Sequence, residues 1–181
     1  MPHTPEELDR ALAQLGPSPA GASTVDCVCV RPGPDLREYP AVLELSAARG
    51  AVGDRWERRT WMCLPDGRPD PRVQVAVCNS RIIDLVRRLA GTSHHPGDTL
   101  MADLDLSEAA LPVGSRLRVG TAVIEVSDVE NDACAKFARH YGESFLHWIR
   151  LPENRHRRLR GLFARVVQDG QVRVGDPMGR A

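Results

Sequence analysis

Residues 116–126 read Arg-Leu-Arg-Val-Gly-Thr-Ala-Val-Ile-Glu-Val, and this stretch indicates the fold. Two short strand-like runs flank Gly120-Thr121, a pattern typical of antiparallel strands joined by a tight turn. Asp169-Gly170 divides residues 166–168 from residues 171–174 in the same way. The sequence therefore predicts a second hairpin at Asp169-Gly170.

Strand patterns recur along the rest of the chain. Apolar or β-branched runs bounded by turn residues predict three further strands, at 24–30, 41–45 and 73–77. Few of these runs are separated by a segment long enough to form a crossover helix. We therefore expect a mainly β fold, a barrel of mostly antiparallel strands with peripheral helices.

An N-terminal helix is predicted from its start signal. Thr4-Pro5-Glu6-Glu7 fits a capping box with proline at the first helical position, and Leu8, Leu12 and Leu15 continue one apolar face. Ser80 is predicted to cap a second helix. We divide the chain into an N-terminal helix and linker, residues 1–22, and a barrel domain, residues 23–181.

Composition excludes several classes of protein. The 24 basic and 24 acidic residues cancel, which argues against general binding of nucleic acids or membrane surfaces. No run of about 18 apolar residues occurs, and residues 1–16 lack a signal-peptide pattern, so we expect a cytoplasmic protein. The five cysteines include no Cys-x-x-Cys pair, so reduced thiols are expected rather than disulfides or a cysteine-ligated zinc site.

Cys134 is the strongest candidate for a functional residue. It is predicted to lie in the first turn of a helix over residues 132–141, with Asp132 as the N-cap, and the only lysine of the chain, Lys136, follows two positions later. A helix N-terminus and a nearby ammonium both favour a thiolate. The alternative is a buried cysteine on an apolar helix face. Cys27 and Cys29 are interpreted as core residues of a strand.

Other segments allow several interpretations. Residues 49–56 form a glycine-rich polar loop that is a candidate ligand site, and His94-His95 are expected to be solvated loop residues. Residues 155–160 are basic and suggest nucleic-acid binding. The neutral chain and its 4% aromatic content count against this interpretation, and favour a solvated face or part of an anion site.

Taken together, these segments resemble the MOSC domain, found at the C-terminus of eukaryotic molybdenum-cofactor sulfurases and as stand-alone bacterial proteins. The resemblance covers Val25 to Asp176 and rests on the order and spacing of its motifs. The motifs are Arg31-Pro32-Gly33, Gly53-Asp54-Arg55-Trp56, residues 75–81, Pro96-Gly97-Asp98-Thr99-Leu100, residues 111–120, Cys134-Ala135-Lys136-Phe137 and residues 158–167.

The resemblance implies a β-barrel with peripheral helices and a role for Cys134. In the family, the matching cysteine carries sulfur as a persulfide or ligates molybdenum. The molybdenum cofactor, molybdopterin, also carries a phosphate and a pterin, which guanidinium and amide groups suit. The candidate cofactor contacts are Arg31, Arg37, Asp54, Arg55, Asn79, Arg81 and Lys136.

Three functions follow as hypotheses. The first is reduction of an N-hydroxylated small-molecule substrate, with electrons from a separate reductase because the chain has no flavin, haem or iron–sulfur motif. The second is a non-redox cofactor-binding or sulfur-carrier module using a Cys134 persulfide. Because no pyridoxal phosphate domain is present, the sulfur would come from a separate cysteine desulfurase. The third is a repurposed barrel in which Cys134 is a nucleophile in a biosynthetic pathway.

Overall fold

A computed structural model describes residues 2–181 of the chain. Strands and helices are numbered here in chain order. The strands are β1 Ala22–Val28, β2 Leu43–Ser46, β3 Gly50–Ala51, β4 Val75–Asn79, β5 Leu100–Ala102, β6 Arg116–Val119, β7 Ala122–Val126, β8 Leu162–Gln168, β9 Gly170–Val172 and β10 Pro177–Arg180. The α-helices are α1 Pro5–Ala13, α2 Ser80–Leu89, α3 Ala135–Tyr141 and α4 Glu143–Arg150.

Seven strands close into a barrel in the order β1-β10-β6-β7-β8-β4-β5. Every neighbouring pair is antiparallel except β4 and β5, which are parallel and joined through α2. Alternate side chains point inward, and Leu117, Ile124 and Leu162 are among those that fill the interior. The predicted barrel, mainly antiparallel with peripheral helices, is confirmed.

The hairpin predicted from residues 116–126 is also confirmed. Val119 lies opposite Ala122 and Arg118 lies opposite Val123, so Gly120-Thr121 is the turn. Gly120 has φ +56°, and a Cβ there would lie 2.4 Å from the Gln171 carbonyl oxygen. Glycine is therefore required both by the backbone conformation and by the close approach of the neighbouring strand.

The prediction of a hairpin at Asp169-Gly170 is wrong. β8 pairs with β4 and β7 in the barrel, whereas β9 pairs with β2 in a separate sheet of order β3-β2-β9. The Asp169 carboxylate accepts hydrogen bonds from the Ala47 N–H at 2.7 Å and the Ser46 hydroxyl at 3.3 Å. A Cβ on Gly170 would lie 2.4 Å from the Ala122 nitrogen. At Asp169-Gly170 the chain therefore passes from the barrel into the three-stranded sheet.

Helices α1, α2 and α4 pack outside the barrel around a second apolar cluster. Leu8, Phe145 and Trp148 are fully buried there. The predicted capping box of α1 is present, since the Thr4 hydroxyl accepts from the Glu7 N–H and the Glu7 carboxylate accepts from the Thr4 N–H. Among residues 2–181, no helix is both long enough and apolar enough to cross a membrane.

Candidate functional site

Cys134 is the N-cap of α3 and is exposed. Its carbonyl oxygen accepts the first helical hydrogen bond, from the Phe137 N–H at 2.8 Å. The prediction of Asp132 as N-cap is therefore wrong. The Asp132 carboxylate is instead paired with the Arg150 guanidinium at 3.3 Å. The Cys134 side chain makes no capping hydrogen bond, so its sulfur is available to a ligand.

The backbone immediately before Cys134 is held in an unusual conformation. Ala133 has φ +65°, the left-handed region, which costs a non-glycine residue on the order of 1 kcal/mol. Arg150 donates to both neighbouring carbonyl oxygens, from Nε to Asp132 at 3.0 Å and from Nη2 to Ala133 at 3.1 Å. Arg150 therefore fastens the turn that sets the direction of the Cys134 side chain.

Cys134 lies on a cavity of about 410 Å³. The outer side of β4 and β8 provides Ala76 and Phe163, and α3 provides Phe137 and Tyr141. Several charged side chains also line the cavity: Arg31, Asp35, Arg37, Arg55, Asp98, Glu130, Asp132, Lys136 and Arg160. The volume falls within the range of about 300–1,000 Å³ typical of sites for small molecules and cofactors.

Two of the predicted cations are engaged by carboxylates. The Lys136 ammonium lies 2.5 Å from the Asp35 carboxylate, and this hydrogen bond lowers the pKa of Asp35. The Asp54 side chain is fully buried and accepts from both the Arg31 Nε and the Arg31 backbone N–H at 2.9 Å. It also accepts from the Trp56 N–H. Asp54 does not line the cavity but holds Arg31 in position.

Arg37 and Arg55 are different, because neither guanidinium has a carboxylate within 4.0 Å in the part of the chain that the structure describes. The Arg37 Nε is buried without a hydrogen-bond partner there. Its Nη2 donates to the His94 Nε2 at 3.1 Å. Burial of such donors without an acceptor is unfavourable, so a bound anion would satisfy them.

The prediction that the two adjacent histidines are merely solvated loop residues is wrong. His94 lines the cavity and stacks on His140, with ring centroids 3.4 Å apart and an interplanar angle of 9°. Burial lowers the pKa of His94, and the His140 ring adds to this effect. His95 points elsewhere, with Nε2 3.5 Å from the Cys27 sulfur.

Asn79 and Arg81 do not join the other candidate residues at Cys134. Asn79 caps α2 by accepting from the Ile82 N–H, and its amide donates to the Leu104 carbonyl at 2.8 Å. Arg81 contacts the carbonyl oxygens of Leu15 and Pro17. Both residues line a different cavity beside the N-terminal segment. The N-cap of α2 is thus Asn79, and the prediction of Ser80 as the cap is wrong.

Arg160 is a cavity residue that the sequence did not single out. Its Nη1 lies 2.7 and 2.8 Å from the two oxygens of Asp98, and its guanidinium lies 5.6 Å from the Phe137 ring centroid. Its neighbours in the basic segment have other internal partners: Arg155 pairs with Glu130, and Arg157 pairs with Asp9. Arg160 is the one residue of this segment that lines the cavity. The basic composition of the segment does not reveal which of its residues does so.

The cysteines differ in exposure, which predicts an order of thiol reactivity. Cys134 and Cys63 are exposed, Cys27 is partly buried, and Cys29 and Cys78 are buried, so Cys27 is less enclosed than predicted. Burial raises the pKa of Cys29 to about 11 and the pKa of Cys78 well above its usual range. Both remain thiols at pH 8, because a thiol is deprotonated only as the pH passes its pKa.

In a Cys63→Ser background at pH 8, we expect an alkylating reagent to modify Cys134 first and Cys29 and Cys78 last. Peptide mass spectrometry over a time course measures this order. Faster modification of Cys29 or Cys78 than of Cys134 in the native protein would contradict the described burial.

Comparison with known proteins gives the following matches. The family model described as the MOSC domain matches residues 73–179. The YuaD protein of Bacillus subtilis has a similar structure, with a TM-score of 0.63 and 16% sequence identity over 87% of this chain and 94% of that chain. YiiM of Escherichia coli has a TM-score of 0.58 and 17% identity over 88% and 69% of the two chains. No curated protein sequence matched.

Proposed function

Because the chain belongs to the MOSC domain family, we propose that it binds the molybdenum cofactor in the Cys134 cavity and reduces N-hydroxylated compounds. One observation carries this proposal: the exposed Cys134 thiol shares a cavity with two guanidiniums, Arg37 and Arg55, that have no carboxylate of residues 2–181 within 4.0 Å. A soft thiolate suits molybdenum, and free guanidiniums suit a phosphate.

The side chains that line the cavity are of the chemical types that the cofactor requires. Cys134 would supply the protein's sulfur ligand, and the buried, unpartnered Nε of Arg37 would donate to an anionic oxygen. Arg31 and Lys136 also line the cavity, but each is paired with a carboxylate, Asp54 and Asp35 respectively. Asn79 and Arg81 have no part in this proposal, since they line a separate cavity.

The proposed reaction breaks one N–O bond, consumes two electrons and two protons, and yields the N–H compound and water. When bound, the cofactor supplies two-electron transfer to the substrate. The electrons come from a separate reductase protein. His94 and His140 line the cavity, where their rings stack on each other. Since the Arg37 guanidinium can only donate, His94 accepts at Nε2 and holds its proton on Nδ1.

The reduction is tested with protein produced in a host that makes the molybdenum cofactor. Reduced methyl viologen replaces the reductase, and benzamidoxime is the N-hydroxylated probe. We expect benzamidine to form with two viologen radicals oxidised for each molecule, and no reaction with the Cys134→Ser variant. If the protein retains molybdenum but reduces no N-hydroxylated compound, the proposed reduction is wrong and the sulfur-carrier hypothesis remains.

A further inference from the structure

The cavity beside the N-terminal segment, termed the N-terminal cavity, has a volume of about 500 Å³. Its lining residues come from 12–18, 79–82, 105–107 and 156–159. Within residues 2–181 it shares no lining residue with the Cys134 cavity. The volume falls within the range typical of sites for small molecules, so this cavity is large enough to hold a ligand of its own.

Five of the side chains that line the N-terminal cavity are aliphatic. They are Leu12, Leu15, Ile82, Leu106 and Leu159. Leu106 and Leu159 are buried, and the other three are partly buried. Removing aliphatic surface from water is favourable, so these side chains suit a ligand that has an apolar part.

Arg158 brings a positive charge to this cavity. Its Nη1 donates to the carbonyl oxygens of Leu106 and Leu111 at 3.3 and 2.6 Å, which holds the guanidinium in place. Within residues 2–181 its Nε and Nη2 make no hydrogen bond, and no carboxylate lies within 4.0 Å of the guanidinium. These two nitrogens can therefore donate to an anionic group of a ligand.

Asp105 brings a negative charge to the same cavity. Its Oδ1 accepts from the Ser107 N–H at 2.9 Å, and in the described part of the chain no cationic nitrogen lies within 4.0 Å of its carboxylate. Asp105 directly precedes Leu106, whose carbonyl oxygen the Arg158 guanidinium contacts. The two charges thus lie near each other without forming an ion pair.

The other charged partners in this cavity are already paired within the protein. The Arg81 guanidinium lies 3.4 Å from the Asp103 carboxylate, and the Arg157 guanidinium lies 2.7 Å from the Asp9 carboxylate. Of the arginine and aspartate side chains that line the cavity, only Arg158 and Asp105 lack a partner of opposite charge within residues 2–181.

We infer that the N-terminal cavity binds a free α-amino acid with an apolar side chain. The ligand's carboxylate accepts from Arg158, its ammonium donates to Asp105, and its side chain contacts the five aliphatic residues. A ligand that carries both charges satisfies both groups. A simple anion is repelled by Asp105 and a simple cation by Arg158. The inference is independent of the proposed function, because the Cys134 cavity is separate.

The test compares L-leucine with two analogues that each lack one of its charges. These are 4-methylpentanoate, which has no amino group, and 3-methylbutylamine, which has no carboxylate. Calorimetric titration of the purified protein measures their binding. We expect L-leucine to bind about tenfold more tightly than either analogue, because each analogue loses one charge-assisted hydrogen bond.

Asp105→Asn is expected to lower the affinity for L-leucine about tenfold without weakening the binding of 4-methylpentanoate. The asparagine Oδ1 can still accept from the Ser107 N–H, so the local turn is retained. Arg158→Gln is expected to weaken L-leucine in the same way without weakening 3-methylbutylamine. If Arg158→Gln does not fold, the Asp105→Asn comparison decides alone.

Glu108→Gln is the matched control. Arg158 also lines another cavity together with Glu108, but Asp105 does not line that cavity. We expect the control to bind L-leucine as wild type does. The inference is overturned if L-leucine shows no saturable binding up to about 10 mM, if both analogues bind as tightly as L-leucine, or if Asp105→Asn leaves its affinity unchanged. Cys134→Ser should bind L-leucine normally, so failure of the proposed function is detected separately.

Discussion

Cys134→Ser is expected to lower the molybdenum retained by the purified protein by about 100-fold. A thiolate is a soft ligand that binds molybdenum strongly, whereas a serine hydroxyl is a hard donor that stays protonated near neutral pH. Even residues that only support a metal ligand contribute about 10- to 100-fold to metal affinity. Elemental analysis of wild type and variant, produced side by side in a cofactor-competent host, measures the change.

Cys63→Ser is the matched control for this experiment. Cys63 is also exposed, but it lies outside the residues that line the Cys134 cavity. We expect the control to retain as much molybdenum as wild type. Because the Cys134 side chain makes no capping hydrogen bond and Cys63 is exposed, neither substitution should lower the unfolding temperature. Equal loss in both variants would point to a general effect of removing a surface thiol.

Asp98→Asn is expected to lower the free energy of unfolding by about 3–5 kcal/mol, the cost of removing one partner of a buried ion pair. The Asp98 side chain is fully buried, and the Arg160 side chain is 13% exposed. The substitution leaves the Arg160 guanidinium buried beside Phe137 without its counter-charge. Urea unfolding at neutral pH measures the change.

Asp66→Asn provides the comparison for this prediction. Asp66 pairs with Arg68 at 2.7 Å, but both side chains are at least half exposed. Solvent screens such pairs, so we expect the control to leave the free energy of unfolding nearly unchanged. A similar small effect of both substitutions would show that Arg160 finds another partner when Asp98 is neutralised.

The barrel was predictable from the sequence because its strongest strands show the required local pattern. The 116–126 hairpin has two β-rich runs around a turn glycine, and both features depend only on neighbouring residues. β10, in contrast, contains Pro177 and Gly179, which disfavour a strand, and it forms because β1 and β6 lie on either side of it. Local sequence also could not show that β8 and β9 belong to different sheets.

The candidate site could likewise be predicted only in part from local sequence. Cys134 and Lys136 were identifiable because they lie at the start of one helix, and Arg55 because it lies in a glycine-rich polar loop. Asn79 and Arg81 were predicted as cofactor contacts from their residue types, but β4 ends where Asn79 must cap α2. Arg160 and Trp61 reach the cavity from distant segments, so only the folded chain places them beside Cys134.

The central claim is that this cavity holds the molybdenum cofactor through Cys134. The most direct test is the molybdenum and pterin content of wild-type protein purified from a host that makes the cofactor. The account predicts close to one molybdenum and one pterin for each chain, retained through gel filtration. Protein that contains neither molybdenum nor pterin under these conditions would contradict it.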